Sequence, residues 1–148
     1  MSKKTAGGSP SARNGGSGPL VRPLSPHLQI WRWHVTMLGS ILNRAAGVGL
    51  VAGAFAVVGW LVALALGPEC YAGFVAYAGS PIGLLVWVAF SAAAFYHLTA
   101  GVRHLIWDVG AGLSLKSANA LTHWSILLAA VATVAFWAWL VMSGKVQP

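Results

Sequence analysis

Acidic residues are almost absent from this 148-residue chain, which has two Asp or Glu against nine Lys or Arg. Charged residues make up only 7% of the sequence, whereas about a quarter of a soluble domain is charged. This scarcity excludes an ordinary water-soluble domain. The net charge of +7 would suggest nucleic-acid binding on a soluble protein. Here the basic residues mostly flank apolar segments, so membrane topology explains them better and we expect no nucleic-acid partner.

Cysteine is nearly absent as well, because Cys70 stands alone. It cannot form an internal disulfide, and the sequence around it predicts a small apolar loop residue. The sequence also has no G-x-G-x-x-G, no phosphate-binding loop, no C-x-x-C and no nucleophile–base pair. Gly110 and Gly112 indicate a helix end rather than a phosphate site. No soluble-enzyme motif is therefore present.

Apolar residues dominate what is there: 57% of the chain is hydrophobic, and eight residues are tryptophan. They form three long runs, at residues 36–66, 81–109 and 121–143. Each run exceeds the ~20 residues that a helix needs to cross ~30 Å of hydrocarbon. We therefore predict an all-α integral membrane protein with three transmembrane helices in a domain spanning residues 36–143, joined by short loops.

The two ends of the chain differ from this domain. Residues 1–20 are rich in Gly, Ser and Pro, which predicts a disordered tail without the apolar core of a secretory signal. Residues 21–35 alternate aromatic and basic side chains, as is typical of a segment at the membrane interface. We interpret His27 and His34 as interfacial residues rather than metal ligands. Residues 144–148 form a short C-terminal tail.

The distribution of basic residues predicts the orientation. Five of them precede the first predicted helix: Lys3, Lys4, Arg13, Arg22 and Arg32. The first loop carries Glu69 and no Lys or Arg, while the second loop carries Lys116. Because cytoplasmic loops are enriched in Lys and Arg, we predict the N-terminus and second loop inside, and the first loop and C-terminus outside.

The second predicted helix carries an unusual polar face. At about 100° per residue, Gly101, His104 and Asp108 fall within roughly 40° of His97, while Arg103 points elsewhere. Ionisable groups inside a membrane are costly, so the default interpretation is a functional site. Asp108 has a simpler alternative role, because it could pair with Arg103 and His104 at the interface.

Haem is one candidate ligand for this face. Neutral imidazole binds haem iron, and small residues around His97 leave room for a flat macrocycle. His104 lies ~10 Å further along the axis, on the order of an iron-to-propionate distance. Together with Arg103 and Arg44 it could hold propionates. His97 could instead form a hydrogen bond between helices. His123 lies at another depth, so a second axial ligand would come from another chain.

The first predicted helix has a polar entrance. Ser40, Arg44 and Gly47 share one face, and Asn43 adds a hydrogen-bonding group. Arg44 could extend its guanidinium to the inner surface along its aliphatic stem. Alternatively, an arginine at this depth binds an anion or a polar ligand. A carbonyl-bearing ligand or a propionate would satisfy it.

Three motifs resemble one known family. They are R-P-L-S-P-H-L at residues 22–28, S-I-L-N-R-x-x-G at 40–47 and H-x-x-x-G-x-R-H-L-x-W-D at 97–108. Their order and spacing resemble the cytochrome b membrane anchor of succinate dehydrogenase, respiratory complex II, the larger of its two anchor subunits. The resemblance covers about residues 21–143. In one departure, the family often has histidine where this chain has Asn43, so we expect a different local proton or water network.

The resemblance implies a site shared between subunits. A second small anchor subunit would complete a haem-bridged bundle, and each anchor would contribute one axial histidine to a haem b. His97 matches the axial position of this subunit, and His104 and Arg44 match residues near the haem propionates. Ser40 and Arg44 match the ubiquinone pocket, which Ile41 would line.

The resemblance also implies partners and a location. A flavoprotein with FAD and an iron–sulfur subunit would dock on the inner side and pass electrons from succinate to ubiquinone, linking the tricarboxylic acid cycle to electron transport. This chain alone would have no activity. We expect a bacterial inner membrane, since residues 1–20 make a poor mitochondrial transit peptide. A haem-free structural anchor, a fumarate reductase anchor and a small transporter subunit remain as alternatives.

Overall fold

A computed structural model of the chain describes Pro26 and residues 30–145. The predicted tail at residues 1–20 lies outside the described residues. So do most of the predicted interfacial segment, including His27, and the last three residues of the predicted C-terminal tail. The expectations made for these parts of the chain therefore stay predictions.

The chain divides into two units, residues 1–32 and 33–148. Only a short part of the first unit is described, where the backbone N–H of Ile30 donates to the Pro26 carbonyl at 3.0 Å. The second unit contains four helices: α1 Val35–Leu66, α2 Pro68–Ala78, α3 Pro81–Asp108 and α4 Leu115–Met142. All regular structure in the described part of the chain is helical, and α1, α3 and α4 are long and apolar enough to cross a membrane.

The connection between the first two long helices is itself helical, although the sequence predicts a loop there. Gly67 has φ +113°, a conformation that favours glycine, and this residue ends α1. Pro68 then occupies the first turn of α2 and Glu69 lies in the same turn. Proline is favoured there because it lacks the N–H that would have no acceptor in the first turn of a helix. An acidic residue is favoured there by the positive end of the helix dipole.

The third long helix begins at Leu115, six residues earlier than the predicted residue 121. The cause is a cap, because Ser114 Oγ accepts a hydrogen bond from the Ser117 backbone N–H at 3.2 Å. The first turn is therefore polar, and hydrophobicity alone does not reveal it. At the preceding helix end, Gly110 has φ +78° and follows the last turn of α3, close to the predicted stop.

The interior of the bundle is small and made mainly of small residues. α3 packs against both α1 and α4. Ala46, Tyr96, Ala100 and Ala129 form the buried cluster. Most large apolar side chains instead point outward, as expected where the surroundings are lipid rather than water. Because little of the apolar surface is buried within the chain, close helix approach and a few hydrogen bonds define its packing.

Four glycines bring α1 close to α3, and we call them the glycine seam: Gly39, Gly47, Gly49 and Gly53. A Cβ atom added to any of them would come within 4 Å of a side chain on α3. At Gly49 it would contact the Ala93 Cβ at 3.7 Å, and at Gly53 the ring of Phe90 occupies the space. Residues further along α1 meet residues earlier on α3, so the two helices are antiparallel.

The seam predicts that Gly53→Ala destabilises the protein while Gly59→Ala does not. A Cβ at Gly53 overlaps the Phe90 ring, and such overpacking costs about 1–3 kcal/mol. Gly59 lies on the same helix with nothing within 4 Å of an added Cβ, so it is the matched control. Thermal unfolding of the detergent-purified protein measures the difference. Equal melting temperatures for the two variants would contradict this packing.

Candidate functional site

His97 lies on the exposed side of α3, beside the glycine seam. A Cβ added at Gly47 would lie 3.7 Å from the His97 Cε1 atom, so one edge of the imidazole faces α1 at Gly47. The rest of the ring is exposed, and it makes no hydrogen bond with the described residues. The alternative role of His97 as a hydrogen-bonded bridge between helices is therefore not seen among the described residues. The ring can accept a ligand or partner from outside the bundle.

Open space separates His97 from His104. Gly101 lies between them on the same face of α3, and nothing is within 4 Å of a Cβ added there. His104 is also exposed, and its ring packs edge-on against Trp107 with centroids 5.2 Å apart. This face therefore offers two imidazoles separated by a strip without side-chain bulk. Such a strip suits a flat, rigid group lying against the helix.

The polar residues of α1 lie at the same end of the bundle as His104. Gly39 of the seam contacts Arg103, which precedes His104, so the antiparallel helices bring these two ends together. Arg44 and Ile41 are exposed, and Ser40 is half-buried. One end of the bundle thus presents a guanidinium, a hydroxyl and an apolar side chain within a single turn of α1.

Asn43 differs from its neighbour Arg44. Its Oδ1 atom is buried and has no hydrogen-bond partner among the described residues. A buried amide oxygen without a partner is unfavourable, so a water molecule or a group from another subunit is expected to satisfy it. The site therefore includes a polar position that the described residues do not complete.

Arg103 does not share the face of the two histidines. It is only 4% exposed, and Nη1 donates a hydrogen bond to Thr122 Oγ1 at 3.2 Å. Its guanidinium carbon lies 5.0 Å from the centroid of the Trp107 ring. The sequence analysis grouped Arg103 with His104 and Arg44. In the structure Arg103 lies apart from them, because its side chain points from α3 toward α1 and α4. The alternative ion pair with Asp108 is not formed among the described residues either.

The sequence analysis missed two residues that hold the helices together at this end, one linking α3 to α1 and the other linking α4 to α3. Tyr96 is buried, and its hydroxyl donates to the Gly39 carbonyl at 2.8 Å. Thr122 of α4 is fully buried and donates to the Ala118 carbonyl while accepting from Arg103. The spacing of Tyr96, Ala100 and Arg103 at i, i+4 and i+7 was available as a signal for the inward face of α3.

Comparison with known proteins assigns the chain to a family. Residues 19–137 match the family model described as the succinate dehydrogenase/fumarate reductase transmembrane subunit. The chain is 39% identical over 119 residues to the succinate dehydrogenase cytochrome b556 subunit of Paracoccus denitrificans. That alignment covers 78% of this chain and 92% of the relative.

Two further relatives are also cytochrome b subunits of succinate dehydrogenase. The cytochrome b556 subunit of Rickettsia felis is 38% identical over 110 residues, which cover 74% of this chain and 85% of the relative. The mitochondrial cytochrome b560 subunit of Sus scrofa is 35% identical over 108 residues, covering 64% and 57% respectively. The chain therefore belongs to the family of succinate dehydrogenase/fumarate reductase transmembrane subunits, and within it to the cytochrome b membrane anchors of complex II.

Proposed function

We propose that His97 is one of two axial ligands of a haem b, and that a second small anchor subunit supplies the other. The observation that carries this proposal is the exposed imidazole of His97 beside the open strip at Gly101. A single exposed histidine suits a group shared with another chain, and the relatives' names include cytochrome b. When bound, haem b supplies a one-electron carrier inside the membrane.

His104 and Arg44 are the proposed donors to the haem propionates. Both are exposed and lie at the same end of the bundle, and a carboxylate is best satisfied by charged or N–H donors. Arg103, which the sequence analysis grouped with them, has its Nη1 directed at Thr122. We therefore leave it out of the proposed propionate environment.

Ser40, Ile41 and Arg44 are the proposed quinone-binding residues of this chain. The Ser40 hydroxyl would donate a hydrogen bond to a quinone oxygen, and Ile41 would form an apolar wall. The Arg44 guanidinium would stabilise the negative charge that develops on that oxygen as electrons arrive. The support is geometric, since the three side chains occupy one turn of α1 at the end where the polar residues of α3 also lie.

The basic residues at this end of the bundle support an orientation in the membrane and a docking side for the partner subunits. We place the N-terminus and the α3–α4 loop on the inner side, because Arg32, Arg44 and Lys116 all flank that side. The C-terminus and α2 then lie outside. The iron–sulfur and flavoprotein subunits would dock on the inner side, near the proposed ubiquinone site. A bacterial inner membrane is the proposed location, and the Paracoccus and Rickettsia relatives support it.

We expect His97→Ala to abolish or shift the b-type absorption of the purified complex, because one axial ligand is lost. The matched control is His123→Ala. His123 is also exposed and forms a hydrogen bond with the Asn119 carbonyl at 2.8 Å on α4. Its variant should keep the spectrum of the unsubstituted complex. An unchanged reduced-minus-oxidised spectrum in His97→Ala would refute the axial role.

We expect Arg44→Ala to lower quinone reduction by succinate on the order of 100-fold, because a donor to the developing charge is lost. Electron transfer from succinate to a soluble artificial acceptor should stay normal, since that step uses other subunits. Lys116→Ala is the control, because Lys116 is an exposed cation on the same side of the bundle. Normal quinone turnover in Arg44→Ala would exclude this role of the residue.

A further inference from the structure

We propose that Arg103 is a buried, uncompensated positive charge that raises the reduction potential of the haem. This inference rests on the proposed haem site, and it assigns Arg103 a role different from that of Arg44 and His104. Arg103 would not touch the haem. It would act through its electric field from inside the three-helix bundle.

The contacts of Arg103 leave its charge unneutralised. Nη1 donates to the neutral hydroxyl of Thr122, and the guanidinium lies over the uncharged ring of Trp107. The Nε atom is buried and has no partner among the described residues. A guanidinium stays protonated in proteins, so burial does not remove its charge. A full positive charge therefore persists in a weakly polar interior.

The acidic residues of the chain do not compensate this charge. The sequence contains only two of them, Glu69 and Asp108. Glu69 lies in the first turn of α2, far along the chain from Arg103, and Asp108 is exposed. Neither makes an ion pair with the described residues. Two groups that face Arg103 from the other helices are the backbone at Gly39 on α1 and the Thr122 hydroxyl on α4, and both are neutral.

The residues around Arg103 leave a defined space for its guanidinium. A Cβ at Gly39 would lie 2.9 Å from Arg103 Nη1 and 2.7 Å from Thr122 Cγ2. Glycine therefore makes the space in which the guanidinium lies. The Tyr96 hydroxyl closes the same region by donating to the Gly39 carbonyl. Elements from all three long helices hold Arg103 in this position.

The sign and size of the effect follow from electrostatics. Arg103 is six residues after His97 on α3, which is a rise of about 9 Å. Reducing haem iron adds one electron, so a nearby positive charge favours the reduced form and raises the potential. Because the two side chains point to different faces of α3, the charge and the iron would lie farther apart than this rise. At ~15 Å and an effective dielectric constant of about 20, the interaction still changes the reduced-to-oxidised ratio on the order of tenfold. For a one-electron couple this is about 59 mV.

A redox titration of the haem in the purified complex tests this inference with three variants. Arg103→Gln removes the charge, and Thr122→Asp places a carboxylate where it can neutralise the charge. Thr122→Asn is the matched control, because it has nearly the same shape as the aspartate without its charge. We expect the first two to lower the reduced-to-oxidised ratio on the order of tenfold at a given potential, and Thr122→Asn to leave it within about twofold.

The outcomes separate a charge effect from a structural one. If Arg103→Gln does not assemble, the Asp and Asn variants of Thr122 still differ only in charge, and equal potentials for them would overturn the inference. An unchanged potential in assembled Arg103→Gln would also overturn it. The shift should persist at high salt, because buried charges are screened much less than exposed ones. An unsubstituted complex without b-type absorption would refute the haem proposal itself, before any variant is compared.

Discussion

The close approach of α1 and α3 at the glycine seam is the constraint on which the rest of the structure depends. Gly39 makes the space for Arg103, and at Gly53 an added Cβ would overlap the Phe90 ring. These two close approaches lie on either side of Gly47, which lies beside His97. Because the helices are antiparallel, the N-terminal turn of α1 meets the C-terminal turns of α3. One end of the bundle therefore collects nearly all of its polar chemistry.

The helical period of α3 then divides that chemistry between two faces. His97 and His104 point away from the bundle, while Tyr96 and Arg103 point into it. The inward face forms hydrogen bonds with α1 and α4 and fixes the geometry of this chain. The outward face remains exposed, with an open strip at its centre, and is available to another subunit. Residues adjacent in the sequence thus point to different faces: Tyr96 and Arg103 contact other helices of this chain, while His97 and His104 are exposed toward the proposed partner subunit.

Hydrophobicity and helical spacing predict much of this arrangement. The long apolar runs predict the three spans, and the spacing of His97, Gly101 and His104 predicts their common face. Spacing on α3 could also have indicated the inward face of Arg103, but not its hydrogen-bond partner, because Thr122 lies on α4 and no pattern on α3 reveals it. The early start of α4 was missed for a similar reason, since a serine cap rather than hydrophobicity begins the helix.

Asn43 bears on how protons would reach the quinone on the proposed function. α1 contributes Ser40, Ile41 and Arg44 to the proposed pocket, and neither these residues nor Asn43 is a histidine or a carboxylate, the usual proton-transfer groups. Asn43 has a buried Oδ1 without a partner among the described residues, which suits a bound water molecule. On the proposed function, α1 therefore orients the quinone and stabilises its charge. On that function the protons would come through water, from another helix of this chain or from the partner subunits, because α1 has no histidine at position 43 to supply one itself.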